Sequence, residues 1–135
     1  MNRGRLRVLI ADDQPGVRFL LEIVVKECGH EAYLAQNGLE AVEMARSINP
    51  DLVFMDVRMP LNGGLEALGE IKETNPEIEV IIMTAYGSEQ TISDALEKGA
   101  WRYIAKPFDV NEIKELLIDF VNEYCRKSAK AVGFQ

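Results

Sequence analysis

Asp51-Leu52-Val53-Phe54-Met55-Asp56, an apolar run between Pro50 and Pro60, decides the fold of this chain. The run is too short for an isolated helix, and its large apolar residues are typical of a strand buried on both faces of a parallel sheet. An acid at the end of such a strand lies at the sheet edge where functional groups collect. We therefore predict a central strand that presents Asp56 to a site.

The same pattern of an apolar run followed by an amphipathic stretch occurs five times along the chain. Apolar residues recur every three or four positions after each run, which indicates a helix. Strands and helices that alternate in this way predict an α/β fold, with right-handed crossovers and a parallel sheet covered on both faces. The other four predicted strands are Leu6–Ala11, Ala32–Ala35, Val80–Thr84 and Trp101–Ala105.

The 135 residues are enough for one domain with its own core. No change of composition indicates a linker or a second domain. We expect a domain over residues 1–125 and a frayed tail over 126–135, because the helical periodicity ends near Tyr124. His30, the one histidine of the sequence, follows Gly29 in a predicted turn and is expected to be exposed.

Acidic residues outnumber basic ones by 22 to 15, which gives a formal net charge of −7. This charge repels nucleic-acid phosphates, so we expect no nucleic-acid binding by this chain alone and a cation or basic surface as counterpart. The first apolar run is broken by Asp12 and Asp13, unlike a signal peptide, and no run reaches transmembrane length. Cys28 and Cys125 form no paired motif and indicate reduced thiols. These features predict a cytoplasmic protein without membrane association.

Polar side chains follow four of the five predicted strands. They are Asp12 and Asp13 after the first, Asp56 after the third, Thr84 after the fourth and Lys106 after the fifth. These strand ends meet at one edge of a parallel sheet, where three carboxylates would repel one another unless a cation lay between them. Mg²⁺ or Mn²⁺ suits such oxygen ligands. A metal, a nucleophilic carboxylate, a hydroxyl and an ammonium are the groups needed to accept a phosphoryl group.

Each of these residues has an ordinary structural interpretation when it is taken alone. Acids after strands often cap helices, and we assign that structural role to Asp109, which forms a capping box with Glu112. A threonine at a strand end is usually a strand former, and a lone lysine is usually solvated. Only the joint placement of the five residues indicates a functional site.

These residues also carry a family resemblance. Asp12-Asp13, Asp56 with Met59-Pro60, Thr84-Ala85 and Lys106-Pro107-Phe108 resemble the signature of bacterial two-component response-regulator receiver domains, over about residues 5–124. The resemblance implies a flavodoxin-like (βα)5 three-layer sandwich with a five-stranded parallel sheet of order 2-1-3-4-5. It also implies a phosphoacceptor signalling protein rather than an enzyme, with self-phosphorylation from small donors and self-dephosphorylation.

The resemblance assigns a role to each site residue. Asp56 would accept the phosphoryl group, and Thr84 and Lys106 would contact it. The metal would bind Asp12, Asp13, Asp56 and the backbone carbonyl of Arg58.

Two further features follow from the same resemblance. Thr84 and Tyr103 would form a switch, in which phosphorylation draws the hydroxyl inward and the ring follows; by spacing alone, Tyr103 is equally a half-buried strand aromatic. The Lys106–Pro107 peptide bond would be cis. The corner Asn62-Gly63-Gly64 departs from the family, which commonly has Asp or Asn before the glycine, so its rigidity is open.

The motifs are similar to those of two groups in particular. One is the single-domain phosphotransfer regulator of the sporulation phosphorelay, and the other comprises receivers attached to nitrogen-regulator-type transcription activators. We expect a monomer or weak dimer that takes its phosphoryl group from a histidine kinase and relays it to a histidine phosphotransferase or signals by binding. The expected docking residues are Gln14, Pro15, Gly16, Arg18, Phe19, Tyr86, Pro107 and Phe108, although for Phe19 and the neighbouring Leu20 a role in the core is the stronger interpretation.

Four alternatives remain at this point. The chain could be a receiver cut from a transcription activator, or an interaction module that keeps the fold without phosphorylation. A phosphohydrolase of the haloacid dehalogenase type would need an acid two residues after its nucleophile, where this chain has Arg58. A flavodoxin-like cofactor binder would need a phosphate loop after the first strand, where this chain has acids.

Overall fold

The computed structural model describes residues 5–85 and 89–131, with side chains described as far as residue 127. Within these residues, five strands and five helices alternate. The elements are β1 (Arg7–Ala11), α1 (Pro15–Glu27), β2 (Glu31–Ala35), α2 (Gly38–Ile48), β3 (Leu52–Asp56), α3 (Gly64–Thr74), β4 (Glu79–Thr84), α4 (Glu89–Glu97), β5 (Arg102–Ala105) and α5 (Val110–Ala131). The strands form one parallel sheet of order β2-β1-β3-β4-β5, which confirms the predicted α/β class and the predicted strand order.

The core consists of two apolar layers, one on each face of the sheet. Side chains of a strand alternate between faces, so Leu52 and Phe54 enter one layer while Val53 and Met55 enter the other. The first layer packs against α1 and α5, and the second against α2, α3 and α4. Every residue of β3 is buried. Burial on both faces is why its sequence is continuously apolar up to Asp56.

Helix α5 ends later than the sequence pattern predicted. We expected a frayed tail from residue 126, whereas the helix continues to Ala131. The segment contains no proline, and no glycine before Gly133, and is rich in Ala, Lys and Arg, which favour helix. Lys127 also forms an ion pair with Glu79, with Nζ 3.1 Å from Oε2. Residues 132–135 lie outside the described part of the chain, so the domain boundary at 125 stays a prediction.

Both cysteines are free thiols, Cys28 half-buried and Cys125 exposed, as predicted. Across residues 5–85 and 89–131, none of the helices combines the length and the apolar character that a membrane span requires.

The expectation of an exposed His30 was wrong. The residue is only 8% exposed, and its Nδ1 atom accepts a hydrogen bond of 3.0 Å from the backbone N–H of Leu6, which precedes β1. Burial lowers the pKa of His30, and the nearby Asp51 carboxylate opposes this effect. The imidazole is therefore a neutral acceptor that joins the start of β2 to the start of β1. This role is hard to predict from the sequence, because the group that donates to His30 is a backbone N–H 24 residues away.

Replacing His30 by leucine is expected to destabilise the protein by about 1–3 kcal/mol near neutral pH, because the buried Leu6 N–H loses its acceptor. The lowered folded-state pKa means that the stabilisation is present above about pH 6.5 and is lost as pH falls through the folded-state pKa. The difference between wild type and His30→Leu, measured by urea unfolding, should shrink on acidification. His30→Gln, whose amide oxygen can accept the same bond, is the control. An equal difference in stability at neutral pH and after acidification would contradict this role.

Candidate functional site

The predicted site residues meet at the carboxyl edge of the sheet. Asp12 follows β1, Asp56 ends β3 and lies beside Met83 of β4, and Thr84 ends β4 beside Ala105 of β5. The backbone N–H of Lys106 donates to the Thr84 carbonyl at 2.7 Å, so the pairing continues past the strand ends. The parallel register thus brings together residues that are up to 94 positions apart.

Three carboxylates form a compact cluster at this edge. One oxygen each from Asp12, Asp13 and Asp56 lies within 4.8 Å of the others. Asp12 is fully buried and Asp56 is 6% exposed, whereas Asp13 faces solvent. The Lys106 Nζ atom lies 2.6 Å from Asp12 Oδ2 and 3.3 Å from Asp56 Oδ1. The structure therefore brings the three predicted acids and the predicted ammonium into one site.

Further hydrogen bonds hold Asp12 and Lys106 in place. Asp12 Oδ1 accepts from the Gln14 backbone N–H at 2.9 Å, and the Asp12 carbonyl accepts from Arg18 Nη1 at 2.6 Å. The Gln14 side-chain oxygen lies 3.2 Å from Lys106 Nζ. Gln14 and Arg18 were predicted only as docking residues, so these contacts are additional to their predicted role. Their positions, two and six residues after Asp12, were the feature of the sequence that could have indicated these contacts.

The environment of Asp56 opposes its ionisation. Burial, followed by the Asp12 charge, raises the pKa of Asp56 from 3.8 to about 6, although Lys106 pulls in the opposite direction. The exposed Asp13 adds a smaller repulsion. Together the three carboxylates carry two more negative charges than the Lys106 ammonium neutralises. A cation among them would relieve this repulsion.

The donor set fits a hard divalent ion. Mg²⁺ and Mn²⁺ prefer carboxylate and carbonyl oxygens and usually keep several water ligands, which the exposed side of the cluster near Asp13 allows. Arg58 lies two residues after Asp56 in the connection to α3, with its side chain exposed. The metal role of its backbone carbonyl remains a prediction.

Thr84 and Tyr103 lie on neighbouring strands. Thr84 is 6% exposed at the end of β4, and Tyr103 is 46% exposed on β5. The Tyr103 ring therefore faces outward, and the switch role predicted for the pair stays a prediction. The Lys106–Pro107 peptide bond is cis, as the resemblance implied.

The rigidity of the Asn62-Gly63-Gly64 corner was open from the sequence, and in the structure neither of its glycines has a positive φ angle. The positive φ angles fall instead on Leu61 and Asn62, at 53° and 79°. Gly64 is required by close approach, because a Cβ there would lie 2.1 Å from the Asp56 carbonyl oxygen. Its N–H donates to the Val57 carbonyl at 2.9 Å. The start of α3 is thus packed directly against the backbone of the predicted phosphoacceptor.

Gly64→Ala is expected to lower the free energy of unfolding by about 1–3 kcal/mol, because the new Cβ meets backbone that must shift. Gly69→Ala in the same helix is the matched control. A Cβ at Gly69 meets no described atom within 4 Å, and alanine should stabilise α3 by about 0.5–1 kcal/mol. Urea unfolding of both variants checks the pair. Equal effects would contradict the close packing at Gly64.

The first two turns of α1, a helix that begins three residues after Asp12, present an exposed apolar surface. Phe19 is 64% exposed and Leu20 is 38% exposed, so the interpretation that they serve the core is wrong. The α1 positions that enter the core are Leu21, Val24 and Val25. An open groove of about 360 Å³ is lined by Pro15, Gly16, Arg18, Phe19 and Leu34. Of the other predicted docking residues, Gln14 and Pro107 are exposed, Phe108 is half-buried, and Tyr86 lies outside the described residues.

Comparison with known proteins agrees with this geometry. Residues 8–118 match the family model described as the response regulator receiver domain. Sporulation initiation phosphotransferase F of Bacillus subtilis (strain 168) is 42% identical over 109 residues, covering 81% of this chain and 88% of that protein. Two solved structures also resemble the chain.

A CheY-like receiver domain protein of Methanospirillum hungatei JF-1 superposes with a TM-score of 0.87 at 24% identity, covering 91% of this chain and 98% of that one. A chain of the CheX–CheY–BeF3–Mg²⁺ complex of Borrelia burgdorferi gives 0.80 at 32% identity, covering 84% and 87%. Residues 8–118, which match the family model, include the five strands except for Arg7 of β1, and they include the whole acidic cluster. The chain therefore belongs to the family of two-component response-regulator receiver domains.

Proposed function

We propose that the protein accepts a phosphoryl group from a histidine kinase on Asp56, in a reaction that depends on Mg²⁺. The observation that carries this proposal is the buried Asp56 carboxylate, which shares one site with Asp12, Asp13 and the Lys106 ammonium. A nucleophile, a cation site and a donor for the phosphoryl oxygens are the parts that phosphoryl transfer needs.

In the proposed reaction an Asp56 carboxylate oxygen attacks phosphorus in line with the bond to the donor nitrogen. A P–O bond to Asp56 forms as the P–N bond breaks, and the electron pair returns to the imidazole, which takes up a proton. Lys106 donates to an equatorial phosphoryl oxygen, which requires only a small change from its present contact of 3.3 Å with Asp56. Thr84, at the end of the adjacent strand, is the second donor. Asp12, Asp13, Asp56 and the Arg58 carbonyl would hold Mg²⁺, which would supply neutralisation of the negative charge that develops during transfer.

We further propose a relay to a histidine phosphotransferase. The similarity to a protein named as a sporulation phosphotransferase supports this direction. The exposed surface of Pro15, Gly16 and Phe19 also includes Arg18, which contacts the Asp12 carbonyl, so a partner docked there would lie close to the acidic cluster. The terminal alternative is signalling through Thr84 and the outward Tyr103, and it is supported by the likeness to a chain of the solved CheX–CheY–BeF3–Mg²⁺ complex. We expect either activity in the cytoplasm, by a monomer or weak dimer.

The proposal predicts that incubation with Mg²⁺ and acetyl phosphate adds one phosphoryl group, detected by intact mass. Asp56→Ala should take up none, and chelation of Mg²⁺ should prevent labelling of the wild type. Glu43→Ala, at an exposed position of α2, controls for loss of an acid elsewhere. An unlabelled wild type, or equal labelling of the Asp56 variant, would refute phosphoryl acceptance at this site.

The relay has its own test. Labelled protein is mixed with a histidine phosphotransferase, and the label on each protein is followed over time. Transfer supports the relay, and Phe19→Ala should slow it while leaving labelling by acetyl phosphate unchanged. Retention of the label on Asp56 supports a terminal regulator instead.

A further inference from the structure

The loop after the phosphoacceptor, residues 57–63, is held by the N-terminus of a helix that is distant in sequence. Helix α2 begins at Gly38, and the first N–H groups of a helix have no partner within it. The Leu39 N–H donates to the Leu61 carbonyl at 2.7 Å, and the Gly38 N–H points at the Pro60 carbonyl at 3.4 Å. The Glu40 N–H is satisfied locally by Asn37 Oδ1 at 2.8 Å. Two of the helix's free donors therefore bind the loop.

The loop adopts a conformation that needs external support. Leu61 and Asn62 both have positive φ angles, and each such non-glycine residue costs about 1–2 kcal/mol in the left-handed region. Asn62 is also tied to α3 through Glu70, with Nδ2 2.5 Å from Oε2. The bonds from α2 hold the carbonyls of this strained turn in their present positions.

Position 38 allows only a glycine if the loop stays where it is. A Cβ there would lie 1.6 Å from the Asn62 carbonyl oxygen and 2.6 Å from its carbonyl carbon. Both atoms are backbone, so a side-chain rotation cannot relieve the overlap. The distance between the start of α2 and the loop is thus set by the absence of a side chain at Gly38.

We propose that Gly38, together with the Leu39 N–H group, is a positioning element for the loop that carries the Arg58 carbonyl. This inference rests on the proposed function. Asp56 and Arg58 precede the clamped turn by only a few residues, and Gly64 closes the loop against the Asp56 backbone. A displacement at residues 60–62 therefore moves the Arg58 carbonyl, the expected metal ligand, while the three carboxylate ligands are all still present. Groups that orient metal ligands typically account for about 10–100-fold in metal affinity.

The test compares glycine-to-alanine variants at three positions. Gly38→Ala is expected to weaken Mg²⁺ binding, measured by titration calorimetry, by about tenfold or more, and to slow labelling by acetyl phosphate. Gly63→Ala lies in the loop itself, but its Cβ would meet chiefly the flexible end of the Glu66 side chain at 2.8 Å. Gly63→Ala and Gly69→Ala should bind Mg²⁺ as the wild type does. A purely structural role for Gly38 would lower stability alone and leave the Mg²⁺ affinity of the folded protein unchanged.

Wild-type Mg²⁺ affinity in folded Gly38→Ala would overturn the inference. If that variant fails to fold, Leu39→Pro replaces it, because a helix accepts proline in its first turn and the N–H to Leu61 is lost. The same loss of affinity is expected there, and unchanged affinity would again overturn the inference. The proposed function fails separately if the wild type takes up no phosphoryl group. In that case, changed amide chemical shifts over residues 57–63 in Gly38→Ala still report whether α2 positions the loop.

Discussion

Asp56→Asn is expected to stabilise the metal-free protein by about 3 kcal/mol at about pH 8, because ionised Asp56 is held in an unfavourable environment. Burial and the Asp12 charge raise its pKa from 3.8 to about 6. Because the pKa of Asp56 is raised in the folded state, protonated Asp56 contributes its full stability below the unfolded-state pKa. This contribution is lost as the pH rises through about 6. Asparagine stays neutral throughout, so the gain should be small at about pH 4 and full at about pH 8.

Urea unfolding in a chelator at the two pH values measures this gain. Glu43→Gln on α2 is the control, because it makes the same change in net charge at an exposed position. Added Mg²⁺ should stabilise the wild type more than Asp56→Asn and so narrow the gap between them. A variant no more stable than the wild type at the higher pH would show that the cluster does not oppose ionisation of Asp56.

Lys106→Met is expected to slow phosphoryl uptake by about 100-fold, the effect of removing one preorganised donor from a transition state. The substitution keeps an apolar stem of similar length and removes the ammonium that contacts Asp12 and Asp56. The Lys106 side chain is only 14% exposed, so loss of the pair should also destabilise the metal-free protein by about 3 kcal/mol. Mg²⁺ should recover much of the stability but not the rate.

Lys127→Met is the matched control. Lys127 also pairs with an acid, Glu79, but its side chain is 66% exposed and lies away from the cluster. Exposed pairs contribute about 0–1 kcal/mol, so this variant should label at the wild-type rate and lose little stability. Equal labelling rates for the two lysine variants would remove Lys106 from the proposed mechanism.

The site could be predicted from the sequence because its residues lie at or after the ends of predicted strands. The register of a parallel sheet carries strand ends to a common edge, so Asp12, Asp56 and Lys106 could be placed together before any distance was known. Which face of helix α1 is buried was harder to predict. A spacing of three and four residues selects a stripe of the helix, but it does not say where the stripe meets the sheet. Phe19 and Leu20 were consequently assigned to the core, whereas both are exposed.

The burial of His30 and the need for glycine at positions 38 and 64 were not predicted from the sequence, and both depend on backbone groups. His30 is buried because the Leu6 N–H needs an acceptor, and the glycines at 38 and 64 are required by the nearby carbonyls of Asn62 and Asp56. Nearly every residue has the same backbone groups, so the sequence does not indicate which backbone atom will lie close to a given residue.

By itself the sequence determined the fold class and the group of acids and lysine around Asp56, because apolar periodicity and side-chain type are local properties. Only the tertiary structure decided how tightly that site is held: the burial that raises the pKa of Asp56, and the clamp of α2 on the loop after β3. Both depend on the packing of segments distant in sequence. Close packing fixes distances at a fraction of an ångström, which no pattern of residue types records.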